Sequence, residues 1–210
     1  MSTISKCGVR FFLTGGTALS RAYYNHRYSD DLDFFVNSDD EYADQVREVF
    51  LKLREDGFFW NQTVDFIINE TYTSFKVGWD KSDALLKLDF VNDVAAHFGG
   101  IEKTDIFVRT DSIRNMLSNK LTALFRYAAK DVADIREIAL RTKVDWKQAI
   151  NDAQQKEAGV DIPIVCDILQ GMPESEFETV VWTKKPTWEE FRSDIDKIIY
   201  EMMSGESSNP

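Results

Sequence analysis

Two rhythms divide the chain. Up to about residue 110, short runs of β-branched and aromatic residues alternate with glycine, asparagine and acidic residues; beyond it, apolar residues return every three or four positions. Residues 9–14, VRFFLT, end at Gly15-Gly16 and predict a buried strand closed by a tight turn. Residues 17–24 predict a helix with Ala18, Leu19, Ala22 and Tyr23 turned inward. Residues 32–36, LDFFV, predict a second strand. The following NSDD supplies N-caps for a helix to about residue 55, whose stripe is Val46, Val49, Phe50 and Leu53. Residues 63–69 and 72–77 read as a hairpin, 85–91 as a strand and 106–109 as a weaker one. From Ser112 the period is 3.6, which predicts helices over 112–129, 132–141, 146–156, 162–169 and 188–203. Residues 205–210 read as a frayed tail. The expected fold is α/β (α+β): a small mixed sheet with two helices on one side in residues 1–110, then a helical domain in 111–210.

Composition narrows the function classes. The 210 residues suffice for a sizeable core, and 43% hydrophobic with 29% charged residues is ordinary for a globular chain. Two cysteines, Cys7 and Cys166, cannot staple a chain of this length. No apolar run reaches membrane-spanning length and the N-terminus has no secretory pattern, so no membrane contact and a cytoplasmic setting are expected. The formal charge of -11 argues against coating nucleic acid through a general positive field. A local basic patch could still hold an RNA end.

The candidate chemistry is carboxylate chemistry. Residues i and i+2 of a strand share a face, so Asp31 and Asp33 would project together while Leu32 and Phe34 enter the core. Leu88-Asp89-Phe90 has the same form, and on a neighbouring strand Asp89 would join them. Three such acids raise one another's pKa, and a divalent cation resolves the conflict. Mg²⁺ (or Mn²⁺) suits a few carboxylates with substrate phosphates, and a metal pair can clamp the attacking and leaving oxygens of a nucleotidyl transfer. Gly15-Gly16 can bring backbone N–H groups to a triphosphate and Thr17 can add a hydroxyl, although no G-K-[ST] follows.

These residues carry a resemblance. The segment FLTGGTALSRAYYNHRYSDDLDFF, with Gly15-Gly16-Thr17-Ala18-Leu19 and then Arg27, Ser29, Asp31, Leu32, Asp33 and Phe34, resembles the signature of the AbiEii/AbiGii toxin family. Lys87-Leu88-Asp89-Phe90 is similar to the strand that bears that family's third acid. Lys120, Ala123-Leu124, Arg126, Lys130-Asp131 and Asp134 are similar to its helical motif. The resemblance spans about residues 11–140. It implies a polymerase-β-like nucleotidyltransferase with NTP as substrate, acting as the toxin of a type IV toxin–antitoxin or abortive-infection system. It also implies a cognate antitoxin and, in some members, the tRNA 3′ end as RNA acceptor. Asp31, Asp33 and Asp89 would be the metal ligands. Gly15, Gly16, Thr17, Ser29, Lys120 and Asp131 would bind nucleotide in a cleft between the two parts, and Asp134 or Asp131 would help deprotonate the acceptor. Family members usually carry a helix before the first strand, whereas about nine residues precede it in this chain.

Two other classes stay open. One is nucleotidyl transfer to a small molecule or protein, which the acidic charge favours over RNA. The other is a non-catalytic nucleotide- or partner-binding protein on the same fold, which the presence of all three acids argues against. His26 and His97 have no zinc-ligand spacing around them, and no Ser-His-Asp arrangement can be assembled.

Overall fold

The computed structural model describes residues 1–61, 65–79, 84–205 and 207; positions 63–64 of the expected hairpin and 206 and 208–210 of the expected tail lie outside the described residues. The chain divides into two units, Met1–Ala22 with Ser29–Asp111, and Tyr23–Tyr28 with Ser112–Pro210.

The first unit opens with one turn of helix, α1 (Ser2–Ser5), and then β1 (Phe12–Thr14). The α-helical turn α2 (Gly15–Thr17) continues as a π-helix over Ala18–Tyr24. Next come β2 (Leu32–Asn37), α3 (Tyr42–Glu55), the short β3 (Phe58–Phe59) and β4 (Ile67–Ile68), β5 (Tyr72–Trp79) and β6 (Leu86–Asp93). The sheet order is β1-β2-β6-β5-β3, with β4 also paired to β5. Among the described strands, β2 and β6 pair parallel and the other pairs antiparallel, which makes the sheet mixed. On β2, Leu32, Phe34 and Val36 are buried while Asp33, Phe35 and Asn37 are half-buried. The strand therefore has one core face and one chemical face. The core face stacks Phe34 on Phe90, with ring centroids 5.3 Å apart, and Phe75 on Phe90 at 6.0 Å. Helix α3 covers this face. Val46, Val49 and Leu53 are buried, and the Tyr42 hydroxyl lies 3.0 Å from both Thr73 Oγ1 and the Phe90 carbonyl, donating to these acceptors.

The weak strand expected at 106–109 does not form. Thr110 instead makes isolated bridges, parallel to Leu13 and antiparallel to Glu102. Thr104 explains this: its hydroxyl takes the backbone N–H groups of Ile106 and Phe107 and curls the segment away from a ladder.

The second unit is helical: α4 (Ile113–Ala123), a 3₁₀ turn (Leu124–Arg126), α5 (Ala129–Arg141), α6 (Trp146–Gln154), α7 (Ile162–Gly171), the short α8 (Glu174–Phe177) and α9 (Trp188–Ser204). The expected helix over 112–129 is cut short at Tyr127, which is left-handed with φ 54. Ser112, Asp145, Asp161 and Thr187 cap their helices, Thr187 in a full capping box with Glu190. Among the described residues no helix is long and apolar enough to cross a membrane.

Candidate active site

In the first unit, Asp33 and Asp89 are register partners on the parallel strands β2 and β6. Side chains paired in this way leave the sheet on the same side, so the two carboxylates stand next to each other on the chemical face. On the other flank of β2, Thr14 is the partner of Asp33. The next residue, Gly15, has φ +69, and a Cβ built there would lie 2.3 Å from Asp33 Oδ2. Both the left-handed backbone and the lack of room require glycine. The turn thus lays its backbone directly against a carboxylate.

Asp31 lies one residue ahead of β2, and its carbonyl accepts a hydrogen bond from the Thr17 hydroxyl. The same hydroxyl reaches the Ser29 carbonyl at 3.4 Å. Thr17 is buried, so in place of the expected phosphate contact it fastens the loop that leads into Asp31. Ser29 enters this contact through its backbone. Asp89 receives Lys87 Nζ at 2.5 Å and the Tyr72 hydroxyl at 3.2 Å. Burial pulls the Lys87 ammonium down, but Asp89, with lesser contributions from Tyr72 and Asp31, outweighs it and holds its pKa above the ordinary lysine value. Lys87 is therefore a resident positive charge among the acids. Sequence reasoning noticed it only as part of a motif; its i, i+2 spacing from Asp89 was the available signal.

Of the three acids expected to converge, Asp33 and Asp89 are register partners and Asp31 lies two residues before Asp33. Among the described residues no three His, Cys, Asp or Glu side chains are already gathered around a metal position. The donor set nonetheless fits Mg²⁺, which typically takes one or two carboxylates and completes its shell with water and substrate phosphates. Asp33 and Asp89 would hold it.

The second unit contains a different cluster. Asp134 is fully buried and takes Arg27 Nε and Nη2, each at 2.7 Å, His26 Nε2 at 2.7 Å and Lys120 Nζ at 2.7 Å. Asp131, also buried, takes Lys120 Nζ at 2.8 Å and the Arg126 guanidinium at 2.6 and 2.7 Å. Burial alone would raise both carboxyls; the Lys120 charge, helped by Arg27 and His26 at Asp134 and by Arg126 at Asp131, instead drives both well below the ordinary range. Lys120 is likewise pulled down by burial but held above its ordinary value by Asp134 and Asp131. Lys120, expected to bind nucleotide, is buried between two acids. Asp134, expected to help deprotonate an acceptor, is a strongly stabilised carboxylate whose oxygens are occupied by cations. His26 and Arg27 were the missed partners: they arrive from a distant segment, and no local spacing announces the pairing.

The AbiEii family model, described as nucleotidyl transferase AbiEii toxin, type IV toxin–antitoxin system, matches residues 3–197. The chain belongs to the AbiEii toxin family. It is a nucleotidyltransferase of that family. No curated protein matches it. Among solved structures, this AbiEii chain is similar to JHP933 from Helicobacter pylori, with TM-score 0.59 and 18% identity over 97% of this chain and 90% of that one. It is also similar to MenT4, the nucleotidyltransferase toxin Rv2826c from Mycobacterium tuberculosis H37Rv, with TM-score 0.60 and 16% identity over 92% and 75% of the two chains. At these identities the likeness establishes the shared fold.

Proposed function

We propose that this AbiEii nucleotidyltransferase uses Mg²⁺ (or Mn²⁺) to transfer NMP from an NTP to an RNA hydroxyl, with the tRNA 3′ end as preferred acceptor, in the cytoplasm. The observation that carries the reading is the in-register Asp33–Asp89 pair with the Gly15 backbone pressed against it. A bound divalent ion would supply charge neutralisation for the triphosphate and activation of the acceptor oxygen. The chain's own residues provide position. Asp33 and Asp89 fix the cation site, Asp31 borders it, and Lys87 orients Asp89. Gly15 and Gly16 offer backbone N–H groups to phosphate, while Thr17 and the Ser29 carbonyl set the loop. The acceptor oxygen attacks the α-phosphorus, its bond to the bridging oxygen breaks, and pyrophosphate leaves. Lys120, Asp131 and Asp134 enter as the charge-balanced support of the helical unit, with half-exposed Arg126 as its outward cation.

The test is transfer from each labelled NTP, with Mg²⁺ and total RNA, resolved on a gel. Label in a tRNA-sized band is expected, and Asp33→Asn should reduce it at least about 100-fold, equivalent to about 2.7 kcal/mol. Label retained by Asp33→Asn would overturn the metal assignment. The net charge of -11 favours a second acceptor class, small molecule or protein. Label found there and absent from RNA would establish it.

A further inference from the structure

The end of β1 is held from behind by a buried network that none of the motifs contains. Asp111 is completely buried, and its Oδ2 accepts a 2.6 Å hydrogen bond from the Thr14 hydroxyl. Its Oδ1 accepts from His97 Nε2 at 3.1 Å. Next to a carboxylate acceptor, that ring nitrogen must carry the proton. His97 in turn packs edge-on against Phe12 of the same strand, with ring centroids 5.1 Å apart. The Asp111 backbone N–H donates to the Leu13 carbonyl at 2.9 Å, and Leu13 N–H donates to the Arg109 carbonyl at 2.8 Å. Residues 109–111 therefore brace the outer edge of β1 along the two residues that precede Gly15.

Thr14 occupies the N-cap position of α2, where a threonine hydroxyl ordinarily accepts from the N–H groups of the first turn. It makes no such bond. Its hydroxyl is turned away from the turn and donated to Asp111. Thr14 is also the register partner of Asp33, and Gly15 follows it against the Asp33 carboxylate.

We infer that Asp111 and His97 are positioning residues, which act through Thr14 to fix the Gly15 turn against Asp33. The inference rests on the proposed role of the Asp33–Asp89 face, and its test separates the two. Full-length Thr14→Val, Thr14→Ser, Asp111→Asn, His97→Ala and His97→Gln are compared by hydrogen–deuterium exchange and by NMP-transfer kinetics, with melting temperatures as control. Thr14→Val and His97→Ala should speed exchange at residues 12–17 at least about fivefold, beyond the change at residues away from β1 that any lower melting temperature brings. They should also lower kcat about tenfold, with NTP KM changing less than about threefold. Asp111→Asn should act in the same direction, since the amide keeps an acceptor for Thr14 but weakens the charge-assisted bond. Thr14→Ser restores the hydroxyl and His97→Gln restores an N–H donor, so both should return to within about twofold of wild type. Unchanged exchange in Thr14→Val and His97→Ala overturns the inference, as does failure of the two conservative variants to rescue. Faster exchange in a protein whose wild type transfers no nucleotide overturns the proposed function and leaves the positioning network standing.

Discussion

Two clusters of aspartates, built with the same side chain, have opposite electrostatic character. On the sheet of the first unit, Asp89 is buried and meets Lys87 and the Tyr72 hydroxyl, while Asp31 and Asp33 are half-buried. In the helical unit, Asp131 and Asp134 are completely buried and meet Lys120, Arg27 and Arg126, with His26 as a fourth partner. The first set is the one proposed above to recruit a cation with its substrate. The second has its carboxylates matched by cations from the protein itself. An acid that must exchange ligands during a reaction cannot be tied down on all sides, whereas an acid buried away from water has to be. On the proposed reading, the sheet acids do the chemistry and the helical acids support the unit that carries them.

The largest test of this contrast is Asp134→Ala. It would strand Arg27, Lys120 and His26 in the interior with one partner removed, and breaking such a buried arrangement costs roughly 3–5 kcal/mol. Denaturant titration of the variant should show that loss as a lower midpoint. Wild-type stability together with abolished transfer would break the contrast and make Asp134 a chemical residue.

The two clusters were not equally legible. Asp31, Asp33 and Asp89 could be read because strand alternation has a period of two, so a D-x-D flanked by Leu32 and Phe34 already divides core from chemistry. The Asp33–Asp89 register needed only neighbouring strands. The helical cluster can be read in part: the motif singles out Lys120, Asp131 and Asp134, but helical periodicity does not say how deep they lie or that they pair with one another. Arg27 and His26 are 107 and 108 residues from Asp134, and only the tertiary fold pairs them. The break at Tyr127 was invisible for a related reason. Neither glycine nor proline marks it, and the left-handed residue is a tyrosine. Positive φ is uncommon outside glycine, so a tyrosine gives no local sign of it.

A smaller effect sharpens the sheet side of the comparison. Gly15 and Gly57 both have positive φ, +69 and +85, but a Cβ at Gly57 meets nothing within 4 Å. Gly57→Ala should therefore cost only the backbone strain, about 1–2 kcal/mol, and leave transfer unchanged. Gly15→Ala carries the same strain and in addition pushes on Asp33 Oδ2, so it should also reduce transfer at least about tenfold, or about 1.4 kcal/mol. Melts and kinetics on the two alanine variants decide it. Equal kinetics would mean that the Gly15 approach to Asp33 has no bearing on the reaction.

The smallest expected effect is a flat pH response of the helical cluster, and the sign follows from the directions of the shifts. Asp131 and Asp134 titrate below the ordinary carboxylate value in the folded state. Their contribution is therefore complete above the unfolded value of about 3.9 and is lost as pH falls through the folded one. Lys120 titrates above the ordinary lysine value, so its contribution is complete below about 10.4 and is lost as pH rises through the folded value. Between about pH 5 and 9 none of the three changes charge in either state. The stability difference between wild type and Asp134→Asn, measured by denaturant midpoints at several pH values, should accordingly stay constant across that range and shrink only below about pH 4. A difference that instead changed between about pH 6 and 7.5, where histidine ordinarily titrates, would mean that the His26 contact, rather than Lys120 and Arg27, holds Asp134. The helical aspartates would then respond to the medium, and the proposed division between a chemical site on the sheet and a closed structural one in the helices would not hold.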